Sequence, residues 1–445
     1  MNPARLLIAV ILLGGLGGVV WWSNRAEKAK EGQPAKDAPP KIMSLSPDMV
    51  KQVDIKRRDG ELTSVRFNAQ GKWDITSPKA LPADPAAVAG LTSAASNLTA
   101  DRVVDENATD LASYGLAPAL LEVTLQTKDN KTTKLLIGDN TPAGSNVYAK
   151  LDGDPRLFVM ASYAKSSFDK VAQDLRDKRL LSFIQDKISR IELTAKKQTV
   201  EFGKVSDTQW QIVKPRPMRA DGLQVDDLIT KLKNAQMDPG STDASAKSDA
   251  AKFATGTVTA LAKVTDTVGT QTLEVRKVKD EYYAKSSAVE GVYKIGKDLG
   301  EGLDKSVDDF RNKKLFDFGF NDPSKIDVQD GDKTLSLHKT APNWFNAANK
   351  EMDFTSVQAF IDRIRDLSAT TFDEKGFTTP AVTITVVSGD GKRTEKVEIS
   401  QAAGGMHFVA RRADDASLYE LGADTVKELR QSVGDVREFQ AGKKK

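Results

Sequence analysis

The sequence predicts an α+β fold: three tandem α/β repeat units with mainly antiparallel sheets and flanking helices, behind one N-terminal transmembrane helix. Three observations lead there. An uncharged run of 17 residues, "LLIAVILLGGLGGVVWW", spans Leu6 to Trp22. A mixed basic and apolar phrase occurs twice, as "DLRDKRLLSF" from Asp174 and "DFRNKKLFDF" from Asp309. Apolar residues alternate with polar ones and then switch to helical spacing after an aspartate, and the pattern returns along the chain.

At about 1.5 Å per residue the apolar run covers ~25 Å, close to the ~30 Å hydrocarbon core of a bilayer. Trp21 and Trp22 stand at its end, where an aromatic belt belongs. A cleaved signal peptide is the alternative, but the run passes into Trp-Trp-Ser-Asn-Arg without a small-x-small site. Residues 1–23 are therefore expected to be a retained anchor. Gly14 and Gly18 form a GxxxG pair that would let a second helix approach closely. Residues 24–41 are polar, contain proline and lack apolar periodicity, which describes a disordered linker.

The repeats follow at 42–179, 180–315 and 316–440. "VYAK" at Val147 meets "YYAK" at Tyr282 and "FVAR" at Phe408, while Phe158 meets Tyr293 and Tyr419 in the same register. Arg176, Arg311 and Arg437 keep that register too. In the front halves Trp73, Trp210 and Trp344 correspond, followed by Asp84, Asp221 and Asp353, and then by Val88, Val225 and Val357.

Within a copy, pairs such as Val53 and Ile55 or Ile191 and Leu193 mark half-buried strands, expected as an antiparallel meander. The aspartate caps a helix by accepting its exposed amides, and Pro85 stands at a first helical position, where a missing N–H costs nothing. Val357, Phe360, Ile361, Ile364 and Leu367 form the helix's buried stripe. Further strands follow, with a turn at Asp129-Asn130 and a short closing helix after Phe158, Tyr293 or Tyr419. The doubled phrase is then a boundary marker. Its Leu175 or Phe310 packs inward, its cations sit near a helix C-terminus, and "LLSF" or "LFDF" feeds the next copy. "GLAPALLEVTL" from Gly115 has an echo in "GFTTPAVTITV" from Gly376, but not in the second copy. Residues 441–445 form a basic tail.

Composition removes several classes of function. Net charge is +3, with 65 basic and 62 acidic residues spread along the length, so no nucleic-acid face is indicated. Without cysteine there are no disulfides, thiolate metal sites or thiol nucleophiles. The two histidines, His338 and His407, have no counterparts in the other copies; His338 is expected to face solvent, and His407 to open a strand. No P-loop or dinucleotide fingerprint follows a strand. Glu351 with Asp353, and Asp414 with Asp415, are carboxylate pairs of the kind hydrolysis uses. Asp353 is already explained as a cap, and Asp414-Asp415 falls in a hairpin turn. No catalytic, cofactor-binding or metal-binding residue is assigned, and a non-enzymatic protein is expected.

"LSPDMVKQVDI", "GKWDITSP", "YGLAPALLEVTL", "LLIGDNTPAGSNVYAKLDG" and "LRDKRLLSF" resemble a bacterial family built on a domain of unknown function, carried in tandem behind a single N-terminal helix. The resemblance implies genes beside ABC-transporter components of the gliding-motility type, and repeats on the periplasmic side of the inner membrane. Arg25, Lys28 and Lys30 after the span, against Arg5 before it, favour the opposite orientation. The resemblance is followed. It makes the chain an auxiliary or interaction subunit of an ABC-type transport complex, with membrane or envelope proteins such as permease and ATPase subunits as partners. The alternative is an extracytoplasmic module that binds peptide or glycan.

Overall fold

The computed structural model describes residues 39–440, apart from 207–208, 243, 320–322 and 406. The expected anchor (1–23), nearly all of the expected linker (24–41) and the basic tail (441–445) lie outside the described residues. Among those described, no helix is long and apolar enough to cross a membrane. The linker expectation is corrected at its end. The Pro40 carbonyl accepts from the Ala100 amide at 2.7 Å, and Lys41 already belongs to a strand paired with Leu98–Thr99.

The chain divides into two compact units, residues 1–177 and 178–445. In the first, nine described strands form one sheet. In spatial order they are Leu81–Pro82, Trp73–Ser77, Leu62–Phe67, Val50–Arg57, Leu121–Thr127, Thr132–Asn140, Asn146–Leu151, Leu157–Ala161 and Arg102–Asp105. All neighbours are antiparallel. The strand Leu121–Thr127 buries alternate residues, so that Leu121, Val123 and Leu125 enter the core. The helix Pro85–Ser96 lies on that face through Val88, Leu91 and Ala95, and the Asp84 carboxylate accepts from the Ala86 amide at 2.8 Å.

The described residues of the second unit form two eight-stranded sheets that share one order over seven strands, the eighth lying at opposite edges. One runs Met218–Arg219, Gln209–Lys214, Gln198–Ser206, Arg190–Ala195, Thr257–Thr265, Thr270–Val278, Glu281–Ser286, Val292–Ile295. The other runs Asn343–Asn346, Lys333–Thr340, Lys325–Asp330, Val382–Ser388, Arg393–Gln401, Phe408–Arg412, Asp415–Leu421, Thr371–Asp373. The helices Gly222–Lys233 and Phe354–Arg365 are capped by Asp221 and Asp353. Of the stripe expected in the latter, Val357, Phe360 and Ile364 are fully buried. Trp73, Trp210 and Trp344 occupy like positions, cross-strand from Phe67, Lys204 and Lys339. This is an α+β architecture of antiparallel sheets.

The simple meander needs correction. The first long strand of each copy is central, pairing on one side with the hairpin before the helix and on the other with the strand after it. Alternation marks a strand but does not specify its neighbour.

The doubled phrase spans two cores. Leu175 belongs to the first core, and Leu180 and Leu181 to the second; Phe310 belongs to the second, and Leu315, Phe316 and Phe318 to the third. The carbonyls of Leu175 and Phe310 accept from the amides of the capping Asp84 and Asp221. In the third copy Asp353 bonds one residue later, to the Arg437 carbonyl, and Met352 pairs with Glu438. Arg437 is therefore not the counterpart of Arg311. Its side chain is 68% exposed, whereas Arg176 and Arg311 are buried. Burial also replaces the helix-end role expected for Arg311, whose guanidinium centre sits 3.4 Å over the Phe372 ring.

Where the second copy lacks the "GLAPALLEVTL" phrase, it carries an unanticipated helix, Ala246–Thr255, with Phe253 packed against Tyr283 and Val292. Its small and polar residues hide the helical period.

Candidate functional site

The two sheets of residues 178–445 meet around a groove of about 640 Å³, lined by Trp210, Met218, Arg219, Asp317, Arg393 and Asp414 among others. Three arginines and four carboxylates converge there. The strand Met218–Arg219 brings Arg219, which donates to the Lys314 carbonyl at 2.7 Å, to the Tyr419 hydroxyl at 3.0 Å and to Asp317. Beneath it the Arg412 side chain is 1% exposed. Its nitrogens lie 2.8 Å from Asp414, 3.2 Å from Asp317 and 3.4 Å from Glu395, and it donates to the Leu315 carbonyl at 2.5 Å. Arg393 stands 3.4 Å from both Asp317 and Glu395.

The electrostatics follow from burial and pairing. Burial works against the Arg412 charge, but its hydrogen bond to Asp414 and the fields of Asp317, Asp414 and Glu395 outweigh it and raise the guanidinium above its ordinary value. The same bond holds the Asp414 carboxyl below the usual range. Burial pushes the Tyr419 phenol up, so it stays protonated and donates to Asp415 at 2.6 Å. Each carboxylate in the cluster already accepts from, or is ion-paired with, a group of the cluster itself. The arrangement ties the second copy to the third, as does Arg311 on Phe372. Chemically it is a buried charge clamp.

Of the carboxylate pairs weighed from sequence, Asp414 and Asp415 are split by this geometry. Asp414 and Asp415 do fall where the hairpin turns, yet one serves Arg412 and the other Tyr419. Asp353 accepts from the Ser356 amide at 2.9 Å and pairs with Arg437 at 3.3 Å, while the Glu351 carbonyl accepts from the Phe439 amide. His338 is half-buried and stacks on Phe345, with centroids 5.9 Å apart, instead of facing solvent. His407 lies just before the strand Phe408–Arg412, with Nε2 3.5 Å from Asp373. Arg219, Glu395 and Arg412 gave no signal in the sequence, because the partners that gather them, Leu315, Asp317 and Tyr419, are distant in the chain.

Comparison with known families adds one finding. A family described as a domain of unknown function, DUF4340, matches residues 73–209 and 210–381, more than half of the chain. The chain belongs to the DUF4340 family. The two matched DUF4340 segments begin at Trp73 and at Trp210; the first ends in the opening strands of the second copy, and the second runs through the helix Phe354–Arg365 of the third. Such a frame places the boundary phrase inside a match. Neither a curated protein nor a solved structure matches the chain.

Proposed function

We propose that this DUF4340 protein is a non-enzymatic, membrane-anchored component of the cell envelope. In this reading it serves as an auxiliary or interaction subunit of an ABC-type transport complex. One observation carries the reading: the three copies keep their packing residues and helix caps and do not share a cluster of charged groups. Tryptophan, capping aspartate and helix stripe recur, whereas the charged groups at the groove belong to one junction and are paired with one another. That is how a scaffold for presenting surface is built, since a shared reaction would need shared reactive groups.

The apolar run Leu6–Trp22 supports the anchor, and the resemblance in residues 42–440 supports the periplasmic side and an ABC permease and ATPase as partners. Cross-linking in native membranes followed by affinity capture of the full chain should recover a permease and its ATPase together. Recovery of neither removes the transporter reading. Protease added to intact spheroplasts should digest the repeats, and their protection would reverse the orientation.

The groove also supports a second reading, a binding module for a peptide or glycan. Its volume suits a small ligand, and Val205, Trp210 and Met218 give it apolar surface. Reproducible thermal stabilisation by one class of envelope fragment, lost in Trp210→Ala, would favour this reading over the first.

A further inference from the structure

One corner of the sheet is built differently in each copy, although its backbone is the same. Strand register makes Asn146, Glu281 and His407 equivalent, and likewise Val159, Lys294 and Glu420. The amides of Asp101, Asp238 and Thr370 donate to the carbonyls of Val159, Lys294 and Glu420 respectively, at 2.8–2.9 Å. In the first copy the corner is neutral apart from Asp101, which accepts from Asn146 at 2.5 Å. In the second it is an ion pair: Lys294 Nζ lies 2.7 Å from Glu281, Lys252 Nζ lies 3.5 Å away, and the Tyr283 hydroxyl donates at 2.6 Å. Negative charge is balanced there by lysine.

In the third copy the balance is missing. Glu420 replaces the lysine, and Asp373 arrives from the edge strand Thr371–Asp373. Asp373, His407 and Glu420 each offer one ligand atom, and these atoms lie within 4.8 Å of one another. Among the described residues, no lysine or arginine pairs with either carboxylate, and the Glu420 side chain has no hydrogen bond. Asp373 uses Oδ1 to accept from the Lys375 amide at 3.1 Å, which leaves Oδ2 turned to the histidine. His407 Nε2 is shielded from solvent and has no hydrogen-bond partner. Its 3.5 Å separation from Asp373 Oδ2 is long for a hydrogen bond. It matches the edge of a tetrahedral zinc site, since ligands about 2.0–2.1 Å from the metal stand about 3.3–3.5 Å apart.

We propose that Asp373, His407 and Glu420 bind a divalent transition-metal ion, Zn²⁺ foremost, through two carboxylate oxygens and one imidazole nitrogen. The imidazole selects a borderline-soft ion over Mg²⁺ or Ca²⁺, which take oxygen donors. Three protein ligands leave a coordination position for water or a partner's side chain. Glu420 closes on the ion by a rotamer change at the sheet's rim. The metal supplies the positive charge that Lys294 supplies in the second copy.

The test uses the full chain, stripped with chelator and titrated with ZnCl₂ against a competing indicator, with MgCl₂ in parallel. One equivalent of zinc should bind per chain and magnesium should not compete. His407→Gln and Glu420→Gln should each weaken zinc at least about tenfold, as losses even beyond the direct ligands do, while His338→Gln should not. The pair His407→Glu with Glu420→Lys copies the second repeat's charges, so it should keep the fold and lose the site. Cobalt should give d–d absorption in the wild type alone. Absence of saturable zinc binding, or a stoichiometric site that loses less than tenfold in His407→Gln, overturns the proposal and leaves the corner a simple imidazole–carboxylate contact.

Discussion

Replacing Arg412 by methionine tests whether the charge clamp holds the third sheet together. The side chain is 1% exposed, and its three carboxylate partners differ in their access to water: Asp414 is 64% exposed, Asp317 26% and Glu395 2%. When the guanidinium goes, the first two rehydrate and Glu395 cannot. Arg393 at 3.4 Å and the Asp317 amide at 2.7 Å remain as its support. Loss of one partner of a buried pair costs about 3–5 kcal/mol, and the remaining support puts this case near 3. Methionine in both places, at 412 and 395, leaves no stranded charge. Both variants lose the bond to the Leu315 carbonyl; beyond that the double variant forfeits the Asp317 amide bond and the contact with half-exposed Arg393, about 1 kcal/mol, so it should be more stable than Arg412→Met alone. Hydrogen exchange in the strands Arg393–Gln401 and Phe408–Arg412 reads the change locally, which matters in a chain that does not unfold as one unit. At 1.4 kcal/mol per tenfold, the single variant should exchange about 100-fold faster there. An acceleration below tenfold, or a double variant that exchanges as fast as the single, refutes the reasoning.

Three further outcomes follow from other sites. Asp221→Ala leaves the Leu223 and Gln224 amides, now bonded at 3.0 and 3.3 Å, without their acceptor; it should destabilise the second copy by about 1 kcal/mol in denaturant melts, with Asp221→Asn close to wild type. Gly138→Ala places a methyl 2.1 Å from the Tyr114 carbonyl oxygen, which is backbone and cannot swing away; a loss of about 1–3 kcal/mol and a lower melting temperature of the first unit are expected. Hydrogen bonds from Lys294 and Tyr283 hold the Glu281 carboxyl down at about 2, against an ordinary value of 4.5. A depressed carboxyl contributes above its unfolded value and is lost as pH falls through the folded one, so the ion pair should persist at pH 4 and fail near pH 2. Carboxyl ¹³C shifts should show that midpoint, and Lys294→Met should move it upward.

Much of this fold was legible because its signals are local. An aspartate before a helical stripe needs only its own first turn to act as a cap, and Asp84, Asp221 and Asp353 all do so. The boundary phrase was readable for the same reason, since Leu175 and Leu180 or Phe310 and Leu315 go to successive cores within a few residues. What was not legible depends on partners far along the chain. Arg412 meets Leu315 and Asp317, and Arg219 meets Asp317 and Tyr419, across about 95 to 200 positions. No periodicity encodes such a pairing. The central place of the first strand is a choice of neighbour, which alternation leaves open. Arg437 misled because its spacing was right and its backbone register was one residue off.

The corner at His407 shows what the repetition means for function. Three copies with the same strand order offer three nearly identical frames, and a side chain placed in one frame has a counterpart in the others by register. Selection on the frame alone would tolerate any corner whose carboxylate finds a partner within the chain, as Asp101 does in the Asn146 amide and Glu281 in Lys294. Among the described residues no lysine or arginine stands beside Asp373 and Glu420, so a metal bound there would complete the third copy's corner from outside the chain. Exchanging the whole corner between the second and third copies should leave both sheets folded while moving the capacity for zinc, and a chain that will not fold after the exchange would show that the corners hold their sheets instead.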